Sequence, residues 1–396
     1  MTRLPTRETR DAAATSGGTK RAAVAALALF TVVSPGLVCE PGGIRATNRP
    51  PEPRLVDEHG DVDAGGVDAL IAAVERERGI GFIQHPTLEL LASDDVRLAS
   101  LRAAARALEP CPRTDTPSER AAEPAGSCFP DPSLEWIDCV APPDLEQARR
   151  ALRRLLDAQN HPRLVRAAAG LRGDPGVAVR ALLAASANGI SDRRNLATDP
   201  ALPDLFDVSE VEVERRTDAA EGCIAMAEYF LSLQPDPEAP FHRPPLSTQQ
   251  LVSPKRYQAG ERPDVLLGDP PRIGDCALVD DESVGVARLL VERLAKGGSL
   301  PVRVLAAWRG DRGVRFACDG EPTPWIYVAE LSDPAEAAAF AKVVSQLLPA
   351  EFADPSASYV IGRRVVAISR GLDSAGAIAW ASALAAKPLT GLPGLD

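Results

Sequence analysis

Aromatic side chains are scarce, at 4% of the 396 residues. The interior therefore has to be built from Ala, Leu and Val. Histidine is scarcer still: His59, His85, His161 and His242 are the whole supply, and no two lie within five residues. No helix can then present a pair of imidazoles on one face. None of the seven cysteines forms a C-x-x-C pair, which excludes zinc-ribbon and thioredoxin-type sites. Positive charge is in the minority, with 44 Lys and Arg against 55 Asp and Glu and a net charge of -11. A nucleic-acid partner is not expected of such a chain. G-x-G-x-x-G, a Walker loop and a G-x-S-x-G elbow are all absent, so dinucleotide, P-loop and α/β-hydrolase chemistries find no foothold.

What is present points first to export. Lys20 and Arg21 precede an apolar run from Ala22 to Val33, which suits the core of a secretion signal and is short for a membrane span. Ser34 and Gly36 are small residues placed for cleavage after Gly36. Residues 1–36 are thus expected to be a signal peptide and 37–64 a Pro-, Gly- and Asp-rich linker, leaving a periplasmic or extracellular chain without a membrane span. Cys39 offers lipid attachment as an alternative, although Gly36 and Val38 depart from the pattern it wants. The other six cysteines, Cys111, Cys128, Cys139, Cys223, Cys276 and Cys318, form an even count, which in an exported chain implies disulfides. One bridge is expected among Cys111, Cys128 and Cys139, and a second between Cys276 and Cys318; buried free thiols are the alternative.

The length suits two globular parts. Helices are expected from Val67 to Arg78, ended by Gly79, and from a cap at Ser93 through Leu108, with GIGFIQHP (79–86) as a short strand between them. Pro143 and Asp144 open a third helix, shorter ones run to about 188, and a long one spans 209–233. PDPEAPFHRPP (235–245) forbids helix and central strand and reads as a boundary. The expected fold class is α+β: a mostly helical domain over 65–234, then a small α+β domain over 246–396 with a mainly antiparallel sheet. In the latter, RVLAAWRGDRGVRFAC (303–318) reads as two strands about a tight turn at Gly310–Gly313, with Asp311 and Arg312 paired in the turn. PWIYVAEL and YVIGRRVVAIS are further strands. Asp280, Asp281 and Glu282 read as the acidic lead-in to a helix. Trp308, Trp325 and Trp380 read as core, with a sugar-binding platform as the alternative.

STQQLVSPKRY (247–257), AAWRGDR (306–312), SDPAEAAAFAKVV (332–344) and GRRVVAIS (362–369) together resemble the C-terminal region of exported bacterial zinc metallopeptidases of the gluzincin, peptidase MA-like type. AEGCIAMAEYFL (220–231) is similar to a Glu-Gly helix of that family, and VERERGIGF (74–82) to its early Arg-Gly segment. The resemblance implies a helix bearing H-E-x-x-H, whose imidazoles bind zinc and whose Glu takes a proton from metal-bound water. By order along the chain that helix is Leu145–Asn160, and it departs from the pattern. Leu145, Ala148, Leu152 and Leu155 occupy its inward face, and Arg149, Arg150, Arg153 and Arg154 its other side. Only vestiges correspond to the metal site: Glu221, where the resemblance puts a third ligand, and His161, just past the helix. Glu221 also fits a solvated acidic stripe with Glu214, Asp218 and Glu228.

The expectation is therefore an inactive relative of these enzymes, with no catalytic residues, no zinc and no other cofactor, that binds a peptide or an envelope protein without cleaving it. Two alternatives stand beside it: a hydrolase with a rebuilt site that uses Glu221 or Asp157 with His161, and a structural cell-envelope protein.

Overall fold

Four aspartates cap helices, because a carboxylate satisfies the backbone N–H groups that a first turn leaves without partners. A computed structural model describes residues 52–109, 126–131, 133–189, 219–295, 307–318, 323–349, 352, 355–392 and 395. The expected signal peptide, Cys39, Cys111, most of the linker and the first part of the 209–233 helix lie outside the described residues. Asp63 caps α1 (Ala64–Arg78), which ends on Gly79 at φ 72°. Asp144 caps α3 (Leu145–Asn160), which follows α2 (Arg97–Ala107). Asp333 and Asp373 do the same further on, for α11 (Pro334–Ala341) and α13 (Ser374–Ala383).

The first half carries more strand than expected. GIGFIQHP is irregular, and the strand β1 (Thr87–Leu91) follows it instead. Helix α2 starts past Ser93, with Val96 at its N-cap and no side-chain cap. β1 runs parallel to β3 (Trp136–Val140), which pairs antiparallel with β2 (Cys128–Pro130). Cys128 and Cys139 face each other across that ladder and are joined as a disulfide. The buried face of α3, Ala148, Ala151, Leu152, Leu155 and Leu156, packs with Val67, Leu70, Ile71 and Val74 of α1. Each such aliphatic side chain larger than Ala contributes about 1.5–3 kcal/mol by leaving water.

α4 (Pro162–Gly170) and α5 (Gly173–Asn188) follow, and α5 is buried along most of its length, which its run of Ala and Val allows. After α6 (Ala219–Ser232) come three short helices, α7 (Ala239–His242), α8 (Thr248–Val252) and α9 (Pro254–Gln258). Next are β4 (Asp264–Leu267), β5 (Ala277–Glu282) and α10 (Val286–Ala295). Asp280, Asp281 and Glu282 are thus strand residues rather than a helix lead-in. They are ion-paired with Arg315, Arg312 and Arg288 respectively.

The described part of RVLAAWRGDRGVRFAC, 307–318, holds one strand, β6 (Trp308–Ala317), which runs straight through Gly310–Gly313 without the expected turn. Its glycines answer close approach instead: a Cβ at Gly310 would fall 1.9 Å from the Asp264 carbonyl oxygen, and one at Gly313 would meet the Phe352 ring. Asp311 and Arg312 do not pair, since adjacent strand residues point to opposite faces. β7 (Trp325–Leu331) is buried throughout. α11 and α12 (Val344–Leu347) lead to a hairpin, β8 (Ala357–Ile361) and β9 (Arg364–Ile368), turning at Gly362 with φ 59° where a single strand was expected. The antiparallel sheet runs β5-β6-β7-β9-β8. α13 and the ribbon of β4 with β10 (Ala385–Pro388) share the core of one face, with Leu266, Val314, Val328, Ala377 and Leu384. Cys276 and Cys318, at the ends of β5 and β6, are disulfide-bonded, and Cys223 is disulfide-bonded as well.

The largest core takes Val177 and Leu182 of α5, Phe230 of α6, Leu289 of α10 and Tyr327 and Val365 of the sheet. It therefore draws on both sides of 235–245; that segment, where helix was not expected, holds the one-turn helix α7, with Pro240 tolerated in its first turn and Pro240 and Phe241 buried. Trp308 and Trp325 are core residues, while Trp380 lies under the Arg312 guanidinium, 5.6 Å from the ring centre. The three tryptophans form no common platform.

Candidate functional site

The end of α3 is where the resemblance puts its metal chemistry. Asp157 is in its last turn, and His161 follows as the C-cap, its N–H bonded to the Asp157 carbonyl at 2.7 Å. Both side chains are buried and both are engaged. Arg78, the last residue of α1, donates to Asp157 Oδ1 at 2.7 Å, to Ser186 Oγ at 2.5 Å and to Glu238 Oε1 at 3.2 Å. His161 Nε2 lies 3.1 Å from Glu238 Oε2, and because a carboxylate only accepts, that nitrogen carries the proton. The imidazole stacks on Phe241 at 5.0 Å and meets His242 edge-on at 5.2 Å.

Burial pushes Asp157 above the usual carboxylate range, against the pull of Arg78 and Ser186. Burial also works against the Arg78 charge, yet Asp157 and Glu238 outweigh it and hold the guanidinium above its ordinary value. For Glu238 burial is again outweighed, here by His161 and Arg78, and its carboxyl is held low.

These residues do not fit a zinc site. The α3 face offers alkyl groups, His161 is turned to a carboxylate that Arg78 already holds, and among the described residues no three His, Cys, Asp or Glu side chains gather for a metal. Glu221 falls in the first turn of α6, and its side chain lies outside the described residues. His161 and Asp157 share Arg78 and Glu238 as intermediaries rather than meeting each other. Arg78 lies in the Arg-Gly segment that the resemblance picks out, without a role assigned to it; nothing in the sequence pointed to Glu238, which comes from a distant element.

A second group of buried acids lines an open cleft of about 290 Å³. Asp174 sits in the first turn of α5, where a carboxylate complements the helix dipole. Its Oδ1 takes the Thr248 hydroxyl and the Thr248 N–H at 3.1 Å, and the Thr248 oxygen in turn accepts from Ala287 N at 2.9 Å. The first turns of α5, α8 and α10 thus converge here. Asp311, 3% exposed, accepts from Ser283 Oγ at 2.6 Å, Val284 N at 2.9 Å, Gly285 N at 3.1 Å, Trp308 Nε1 at 3.3 Å and Tyr327 Oη at 2.9 Å. Gln249 binds the Trp308 carbonyl, so STQQ (247–250) and WRGD (308–311), two motifs far apart in the chain, build one floor.

Burial pushes Asp174 up to about 7, with nearby Asp311 adding to the shift and Thr248 opposing it. Burial also raises Asp311 despite its donors, and it raises Tyr327 together with the Asp311 charge. The sequence did not single out Asp174. A Gly-Asp-Pro at a helix start reads as capping, and only the fold turns that carboxylate toward a cleft.

A smaller cleft of about 230 Å³ lies between His242, Tyr257 and Leu392 near the end of the chain. No protein-family model, no curated protein and no solved structure matches this chain.

Proposed function

We propose that the chain is an exported, catalytically inactive relative of zinc metallopeptidases that binds a peptide or protein segment without cleaving it. The observation that carries this reading is the engagement of Asp157 and His161 with Arg78 and Glu238 beside an alkyl helix face. A water-activating group has to be free to take a proton from water held next to it. Here both candidates are buried and engaged, Asp157 through its Oδ1 with Arg78 and His161 through its Nε2 with Glu238. The open cleft bounded by β4, the end of β5 and β6 is the place for a bound segment. The disulfides Cys128–Cys139 and Cys276–Cys318 fit an oxidising compartment, as export requires, and among the described residues no helix is long and apolar enough to cross a membrane.

The purified protein is expected to hold no stoichiometric zinc by elemental analysis, to leave unfolded casein intact and to bind it. One tightly held zinc per chain, lost on Glu221→Ala or His161→Ala, would overturn the reading.

One observation favours the alternative of a rebuilt hydrolase, at a place other than the one the sequence suggests. Asp174, with a carboxyl near 7 at the floor of a cleft, has the character of a general acid or base. Cleavage of casein that disappears in Asp174→Asn, with folding intact, would establish it.

A further inference from the structure

The cleft is lined by five acids, Asp174, Asp264, Asp281, Glu282 and Asp311, and by one base, Arg312. Most of these charges are spoken for. Asp281 is paired with Arg312, Asp264 with Arg309 at 3.4 Å and Glu282 with Arg288 at 3.3 Å. Asp311 has no cation, but five neutral donors saturate both its oxygens. Asp174 differs from all of them. It is 1% exposed, its Oδ1 is served by Thr248 alone, and no described residue donates to its Oδ2. Glycine makes room for the carboxylate itself: a Cβ at Gly285 would fall 1.9 Å from Asp174 Oδ1. The lining also includes the apolar residues Pro175, Leu246, Pro263 and Leu389.

We propose that this cleft takes the lysine or arginine side chain of a bound peptide, with the ammonium or guanidinium against Asp174 and the methylene stem along the apolar part of the lining. A buried carboxylate without a cation is costly, and a ligand that supplies one removes that cost as it binds. Long basic side chains match such a site because an apolar stem carries a charged head. A cleft of about 290 Å³ is at the small end of ligand cavities, which suits one side chain rather than a folded epitope. Anions are disfavoured by the surrounding acids. The proposal rests on the peptide-binding reading and names the residue that such a peptide contributes.

The test is fluorescence anisotropy on the full chain with a labelled, end-capped pentapeptide of Ala and Val carrying a central lysine, against the same peptide with norleucine. The lysine peptide should bind at least about tenfold more tightly, as a charge-assisted hydrogen bond in a buried site implies. Asp174→Asn should bring the two affinities within about twofold. Independently of that variant's folding, the lysine preference of the unaltered protein should grow as pH rises through about 7, where Asp174 ionises. Equal affinities for the two peptides overturn this proposal and leave peptide binding standing. Binding of neither peptide overturns both. Nα-acetyl-lysine methylamide binding as tightly as the pentapeptide supports the cation subsite and overturns the peptide reading.

Discussion

Two groups of buried acids solve the same problem in different ways. Around Arg78, the carboxylates of Asp157 and Glu238 receive a guanidinium, and His161 adds a further donor. Around Gly285, Asp174 and Asp311 receive only hydroxyls, an indole, and backbone N–H groups from the start of α8 and from the loop that leads into α10. The first group is closed and charge-compensated, and it joins α1, α3, α5 and the segment before α7. The second borders a cleft and stays short of positive charge. A compensated buried network holds elements together, whereas an uncompensated one at an opening is left to respond to pH and to ligands.

The largest effect should come from removing the compensation. Arg78→Met leaves two buried carboxylates without their cation and should cost about 5 kcal/mol, the upper end for a broken buried pair. Urea unfolding would measure it, and a loss below about 1 kcal/mol would show that the network holds nothing together.

Next comes the pH response of the uncompensated group. Asp174 has a folded value of about 7, against an ordinary 3.8, so the folded state keeps a proton that the unfolded chain releases. The stability from that proton is fully present below about pH 4 and is lost as pH rises through about 7, a fall of roughly 4 kcal/mol from this group alone. Asp138, pushed by burial to about 6, acts in the same direction over a narrower window. Asp174→Asn should therefore flatten the decline in melting temperature between pH 5 and 8 and make the protein more stable than its parent at the alkaline end. An unchanged slope would show that Asp174 is not the group responsible.

Smaller changes separate the two groups further. Tyr327→Phe removes one of five donors to Asp311 and should cost about 2 kcal/mol, as expected for a hydrogen bond to a charged acceptor. His161→Phe keeps the ring stacked on Phe241 and leaves Glu238 with Arg78, so it should cost only about 1 kcal/mol by thermal denaturation. If the His161 variant proves more damaging than Arg78→Met, the imidazole and not the guanidinium organises the first group.

Local chemistry was legible in the sequence. Asp144 opens α3 and Gly79 ends α1, because the groups that need satisfying lie within a few residues of them. The Cys276–Cys318 bridge was legible too, as was the α+β class. The failures came where a residue answers a distant neighbour. Gly310 and Gly313 look like turn residues, yet they admit the Asp264 carbonyl and the Phe352 ring, neither of which a local window contains. Asp311, read as one half of an Arg–Asp turn pair, instead points into the protein toward Tyr327 and the 283–285 loop. The same limit applied to the candidate site. Asp157 and His161 were visible as candidates, but Arg78 and Glu238, which decide what they can do, arrive from 79 and 77 residues away in the chain.

The proline-rich stretch at 235–245 has a consequence for anyone who would dissect this protein. Glu238 and Phe241 plug it into the end of α3, and the hydrophobic interior continues beneath it from one half of the polypeptide to the other. A protease that nicks this stretch would leave two fragments clinging to each other. Constructing either half by itself would uncover a greasy surface meant for its sibling, and insoluble material should result.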